Sequence, residues 1–342
     1  MKPYIIRRSL LDGFCFSVIC SAFYFYLPEA VLNTEMNFKL QIILFLCELI
    51  LGALLSSVLY RGRITTLGAK IFQPDFNPGV AEAKNFYRTF WGWQFLVTLL
   101  ILFIIGIFKT RFSFFELLNI DGLQGAQRLF LGMASPNWQV LPQAISNIIE
   151  TIFMAFIATT LATPVAFVLS FLAAKNVMKG RMAFIIYLFL RTILNLVRSI
   201  EALVWAIIFS VWVGIGPFAG MLALMMHSIA SLTKQYSEIV ESVNEGPIEG
   251  IQSCGANKIQ TIWYAIVPQV ILPFISFTVY RWDINVRMAT IIGLVGGGGI
   301  GTMLIKYQGQ AMWAEVGTII FVIAVVVWLM DQASAVLREA LK

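Results

Sequence analysis

The chain has 342 residues, 59% of them hydrophobic and 12% charged, with a net charge of +6 and a mean hydropathy of +0.83. A soluble domain holds about 45–50% apolar and about 25% charged residues, so this composition excludes a water-soluble globular protein and calls for lipid as solvent. In such a chain the positive balance bears on orientation in a bilayer, and no nucleic-acid partner is expected.

A hydrocarbon core of about 30 Å takes about 20 helical residues to cross. Apolar windows fall at Leu10–Leu32, Leu40–Leu59, Trp91–Phe108, Ile149–Ala173, Ile200–Val213, Phe218–Leu232, Ala265–Asp283 and Val316–Ala335. They predict an all-α membrane protein with about eight transmembrane helices. The basic start (Lys2, Arg7, Arg8) leads into a long run that contains Asp12 and lacks a small-residue cleavage site, so it reads as a retained anchor. Tyr60–Phe90 is a basic loop with a turn at Pro74, Pro78 and Gly79 between two surface helices. Lys109–Asn147 alternates apolar and polar residues around Phe114–Leu118 and Leu123–Leu131, the pattern of short helices lying on the membrane face. Met182–Val197, with Arg191, is placed along the interface before the short fifth span. Three segments follow: 1–90, with two N-terminal helices and the basic loop; 91–147, with one helix and the external stretch; and 148–342.

With the N-terminus in the cytoplasm, every Lys and Arg except Lys39, Lys109, Arg111, Arg128, Arg281, Arg287 and Lys306 falls on the cytoplasmic side. The positive-inside rule then puts both termini in the cytoplasm. Cys15, Cys20, Cys47 and Cys254 form no metal spacing, and the single histidine, His227, excludes His-cluster zinc chemistry. No cofactor site is expected.

The most informative segment is Glu238–Pro268. Pro247 suits the first helical position, Glu245 and Glu249 suit a helix start, and Gly255 suits the left-handed residue that ends a helix. A two-turn helix held between spans can serve as a rigid peg pushed by a soluble partner. Its residues Glu249, Gly250, Ile251, Gly255, Ala265, Val267 and Pro268 match the spacing of the E-A-A-x3-G-x9-I-x-L-P loop. Gly250 and Ile251 replace the two alanines, and Ala265 and Val267 are smaller than the usual pair.

Around this loop, the run from Gly246 to Gly301 carries GPIE, GANK, VPQV, YRWDINVRMAT and GLVGGGGIG, and Arg198–Leu224 carries a GIGPFAG turn. Together these resemble the phosphonate ABC-transporter permease family, from roughly residue 110 to the C-terminus. Glu201 stands where that family has its Glu, while Ile200 takes the usual proline position. The resemblance implies a five-helix ABC-importer permease core preceded by extra N-terminal helices, in a bacterial inner membrane. It also implies a homodimer around a central path, ABC ATPase subunits, and an extracytoplasmic binding protein. ATP and Mg belong to the partner ATPase, since no GxxxxGK(S/T) occurs in this chain. The implied cargo is a phosphonate, phosphite or phosphate ester. The coupling helix would include Glu245, Gly246, Pro247, Glu249, Gly250, Ile251, Gly255 and Ala256. The other readings are a permease for methionine, betaine or another small solute, an ATP-independent carrier or channel, and a membrane-embedded enzyme. Copurification of an ATPase separates the carrier from the importers. The enzyme lacks a metal cluster, a nucleophile–base pair or paired carboxylates at the membrane midplane.

Arg281, Asp283, Asn285 and Arg287 lie deep in the seventh span, and charges at such depth face protein or water. Asp283 and Arg287 form an i,i+4 pair, and Arg281 pairs with Asn285 on a neighbouring face. Two readings stand: an uncompensated guanidinium lining an oxyanion path, or a structural ion-pair network reaching Glu201. The run Gly296, Gly297, Gly298, Gly299 and Gly301 is expected to resist helix formation, and reads either as a pliant outer gate or as plain loop flexibility. It lacks the lysine and βαβ context of a nucleotide-binding loop.

Overall fold

In the computed structural model the described residues are 3–21, 38–62, 64–72, 86–178 and 180–340, and they contain helices and no strands. The turn expected at Pro74, Pro78 and Gly79, and the part of the first span after Ser21, lie outside them. Contacts divide the chain into Met1–Gly122 and Leu123–Lys342.

In the first unit, α1 (Pro3–Ser21), α2 (Phe38–Arg61), α3 (Leu67–Phe72) and α4 (Phe90–Lys109) pack around one buried carboxylate. Asp12 accepts hydrogen bonds from Ser56 Oγ (2.6 Å), Thr66 Oγ1 (2.5 Å), the Gly68 N–H (2.8 Å) and Gln94 Nε2 (3.1 Å). A charge buried among apolar helices survives only when its lone pairs are occupied in this way. The hub joins α1 to every other long helix of the unit. Arg8, one turn earlier and equally buried, lies 3.8 Å over the Tyr60 ring. α5 (Phe114–Leu117) follows, capped by Ser113.

In the second unit, α6 (Ile120–Ala134) is amphipathic and leads through a turn at Trp138–Val140 into α7 (Leu141–Leu172). Ala144, Ile148, Thr151, Ala155, Ala158, Ala162 and Ala166 recur every three or four residues along α7 and are buried. Small residues at that spacing let helix backbones approach closely, which is how helices associate where lipid offers no hydrophobic drive. Against this stripe pack α10 (Pro217–Glu241) and α13 (Val267–Ile292). α15 (Trp313–Ala340) closes the unit.

Among the described residues six helices are long and apolar enough to cross a membrane. The predicted fifth span, Ile200–Val213, is different from expectation. It is the 12-residue helix α9 (Ala202–Val213), preceded by α8 (Arg181–Ser199), with Ile200 and Glu201 extended between them. Twelve residues rise about 18 Å, too little for a crossing, so α8 must contribute. Arg191 Nη1 bonds Glu241 Oε1 (2.9 Å) at the end of α10, whereas the Ile200 carbonyl lies 3.2 Å from His227 Nδ1. His227 and Glu241 are 14 residues apart on α10, about 21 Å. α8 therefore climbs beside α10, and the chain breaks at Glu201 roughly midway.

The start of α13 is also irregular. Ile262–Ile266 forms a π turn in which the Val267 N–H reaches back to the Ile262 carbonyl. Pro268 has no N–H and its ring would press on the Tyr264 carbonyl, and a wider turn relieves that clash.

Candidate functional site

The loop between α10 and α13 folds as α11 (Glu245–Ser253), nine residues and about 13 Å long. It begins two residues before the expected start, because Asn244 caps it: Oδ1 accepts the Gly246 N–H at 3.1 Å. Pro247 is thus the third helical residue, not the first, still within the turn whose N–H groups have no helical acceptor. Glu245, Gly246, Pro247, Glu249 and Gly250 are exposed, Ile251 and Ala256 are half-buried, and Ile248 turns inward onto the core. Gly255 follows the helix at φ 84°, a left-handed conformation that a side chain would strain. Asn257 and Gln260 then form a capping box for α12 (Lys258–Thr261).

Two sets of polar ties hold this loop. Glu241 accepts from Arg191 and from the Lys175 N–H (2.8 Å), and Asn176 Nδ2 donates to the Val240 carbonyl (2.7 Å). On the other side, the Asn244 N–H donates to Gln269 Oε1 at 3.1 Å. Nothing in the local sequence marks Arg191–Glu241 or Asn244–Gln269 as partners. A cavity of about 220 Å³ lies beside α11, bordered by Asn176, Glu245, Ile248, Glu249, Gln252 and Thr261.

Deeper in the unit, α13 presents its charges to three neighbouring helices. Arg281 is 7% exposed and its Nε donates to Ser228 Oγ on α10 at 3.2 Å. Asn285 is fully buried and donates through Nδ2 to Thr159 Oγ1 on α7 and to Ser228 Oγ, each at 2.8 Å. The orientation of that amide is forced. Thr159 spends its proton on the Ala155 carbonyl (2.7 Å), so its oxygen can only accept. Asn285 Oδ1 and Asp283 Oδ1 are left buried without a hydrogen-bond partner among the described residues.

Asp283 and Arg287 pair as the spacing predicts, and Arg287 also meets Asp331 of α15 at 3.1 Å. With two carboxylates on one guanidinium, Arg287 is fully compensated. Arg281 is different: beyond Ser228 its guanidinium hydrogen-bonds to nothing among the described residues, and Glu201 at the helix break is the carboxylate whose charge acts on it. His227, beside Ser228 on α10, interacts electrostatically with both. The structure thus brings Arg281, Asn285 and Glu201 toward one level and separates them from the Asp283–Arg287–Asp331 triad.

The glycine run sits at the other end of α13. Gly293–Val295 forms a single tight turn and Gly296 is left-handed. Gly297, Gly298 and Gly299 are buried. Contrary to expectation, Gly299 and Gly301 lie within a helix, α14 (Gly299–Gly309). Glu150 Oε1 accepts the Gly299 N–H (3.2 Å) and Thr151 Oγ1 accepts the Ile300 N–H (2.9 Å), so α7 caps α14 with a carboxylate at its positive end. Gly301 belongs there because it lies directly on the backbone of Gly293, and packing outweighs its poor helix propensity. Among the described residues no group of three His, Cys, Asp or Glu could hold a metal ion.

Residues 166–341 match the family described as binding-protein-dependent transport system inner membrane component. The chain is 34% identical over 223 residues to the phosphite transport system permease protein PtxC of Stutzerimonas stutzeri, covering 65% of this chain and 80% of that protein. It is 32% identical over 222 residues to the phosphate-import permease protein PhnE of Mycolicibacterium smegmatis, covering 65% of this chain and 41% of that protein. Among solved structures, an inward-facing form of the MetNI methionine ABC transporter superposes with a TM-score of 0.53 at 18% identity. The match covers 60% of this chain and 99% of that one, a likeness of fold.

Proposed function

The chain belongs to the inner-membrane components of binding-protein-dependent transport systems, and from that premise we propose that its Arg281 level carries a phosphorus oxyanion across the membrane. It is the multi-pass permease subunit of an ABC importer. Phosphite, a phosphonate or phosphate is the cargo class, as the names of the similar permeases suggest. The observation that carries the reading is a guanidinium held at its Nε by Ser228, with its outer N–H groups unspent, at a depth where charge is tolerated only toward protein or water. A planar fork of donors matches the oxygens of such an anion.

Two copies of this chain enclose the path, with both termini in the cytoplasm. α11 is the peg that seats on the ATPase subunit, offering Glu245, Glu249 and Gly250 at its exposed face. The buried turn through Gly296, Gly297, Gly298 and Gly299 stands at the outer end of the path as its gate, braced by Glu150. An extracytoplasmic binding protein delivers the cargo.

The test is uptake by cells or vesicles carrying this chain with its ATPase and binding protein. Labelled phosphite uptake should be chased by unlabelled phosphite or methylphosphonate and untouched by methionine. Uptake competed by methionine and indifferent to phosphorus oxyanions would overturn the assignment.

A further inference from the structure

Gln269 lies one residue past Pro268, in the first turn of α13, and its side chain folds back toward the cytoplasmic loop. Its Oε1 accepts the Asn244 backbone N–H at 3.1 Å. Its Nε2 donates to the Ala265 carbonyl at 2.7 Å and points to the Asn244 carbonyl at 3.5 Å. Asn244 is the residue whose own side chain caps α11. One amide therefore joins the π turn, the first turn of the pore helix and the entry to the peg.

The surroundings make this joint stand out. Among the described residues, Gln269 supplies every hydrogen bond that runs from Asn244–Ser253 to α13. The end of α10 is tied elsewhere, to Lys175, Asn176 and Arg191. Elsewhere α11 is held by Ile248, which packs onto the core, and beside it runs the cavity of about 220 Å³ bordered by Glu245, Glu249 and Gln252. A short helix with one inward apolar contact and open space beside it can tilt about that contact, and the tilt is delivered at its polar ties. The receiving segment is the π turn, which carries the Ala265 carbonyl, and such turns are frequent at functional sites. Along α13 from Gln269 lie Pro273, which leaves the Gln269 carbonyl without its helical N–H, and then Arg281 and Asn285, so a movement begun at Gln269 has a helical route with one softened turn to the Arg281 level.

We propose that Gln269 is the positioning residue that transmits movement of the α11 peg to α13. This rests on α11 being the surface that seats on the ATPase, and the experiment keeps the two ideas apart. Gln269→Leu removes all three hydrogen bonds at nearly constant volume. Gln269→Glu keeps the acceptor for the Asn244 N–H and loses the donor to the Ala265 carbonyl.

Each variant is assembled with the ATPase and binding protein in vesicles, and complex yield, basal ATP hydrolysis and cargo transported per ATP are measured. Gln269→Leu should keep yield and basal hydrolysis at the wild-type level. Cargo per ATP should fall about tenfold, a loss typical of coupling between sites, and Gln269→Glu should recover part of it. Unchanged cargo per ATP in Gln269→Leu overturns the proposal, and so does a fall in complex yield that accounts for the whole transport loss. A separate variant, Gly250→Arg on the exposed face of α11, tests the premise. If it leaves the ATPase bound, the peg assignment fails whatever Gln269 does.

Discussion

Replacing Arg281 by alanine is expected to lower cargo uptake about a hundredfold or more while the permease still assembles with its ATPase. The size follows from removing a charged donor from a low-dielectric site, where a hydrogen bond to an ionised group and the ion's own field are both strong. Assembly should survive because only the Ser228 bond is lost and the other contacts holding α13 remain. Asn285 still bonds Ser228 and Thr159, and Arg287 still bridges Asp283 and Asp331. Arg281→Lys separates charge from shape: the ammonium keeps the charge and loses the planar fork, so uptake should recover only in part. Measured initial uptake rates, normalised to assembled complex, decide the matter. A wild-type rate in Arg281→Ala would leave Arg281 with the structural role that its link to Glu201 also allows.

The second large effect is on folding. Gly301→Val should sharply reduce the yield of folded protein and lower its unfolding temperature in detergent. A Cβ at Gly301 would lie 2.7 Å from Gly293 Cα and 3.0 Å from Gly293 C, and closer still to the Thr290 carbonyl oxygen. All three are backbone atoms, so no side chain can swing aside, and α14 would have to leave α13. Overpacking of this kind costs about 3 kcal/mol, and more where backbone must move. Gly125→Ala is the control: nothing lies within 4 Å of a Cβ there, so the substitution in α6 should be neutral or slightly stabilising. Equal stability of the two variants would mean that the Gly293–Gly301 approach is not tight in the membrane.

Much of this arrangement is written in local sequence. The helix α11 declares itself through Glu245, Pro247 and Gly255, because helix ends are set by neighbours only a few residues away. The Asp283–Arg287 pair is likewise a matter of i,i+4 spacing. What sequence does not display is partnership across the chain. Asp331 sits in an apolar run as one acid near a span end, and nothing local says that it completes a triad with residues 44 and 48 positions earlier. Ser228, Thr159 and His227 look like ordinary polar residues of apolar helices until α7, α10 and α13 are packed together. Asp12 gave only a charge inside an anchor, because its donors come from positions 56, 66, 68 and 94. The glycine run misled for a related reason. Its helix propensity is poor, but Gly301 is required by contact with Gly293, and tertiary packing overrides propensity where backbones touch. The boundary at Ile200 and Glu201 is legible in sequence, whereas the course of Met182–Val197 is not: the expectation lays it along the interface, and the Arg191–Glu241 contact sets it beside α10.

Coupled transport by this chain requires α11 to face the cytoplasm and to seat against another protein. Cys254, exposed at the end of that helix, is a native probe of both. With Cys15, Cys20 and Cys47 replaced by alanine, a membrane-impermeant maleimide is applied to sealed right-side-out and inside-out vesicles, with and without the ATPase subunit. Labelling of inside-out vesicles only, blocked when the ATPase is bound, is the predicted result. Labelling from the outer side, or equal labelling with the ATPase present, would contradict it.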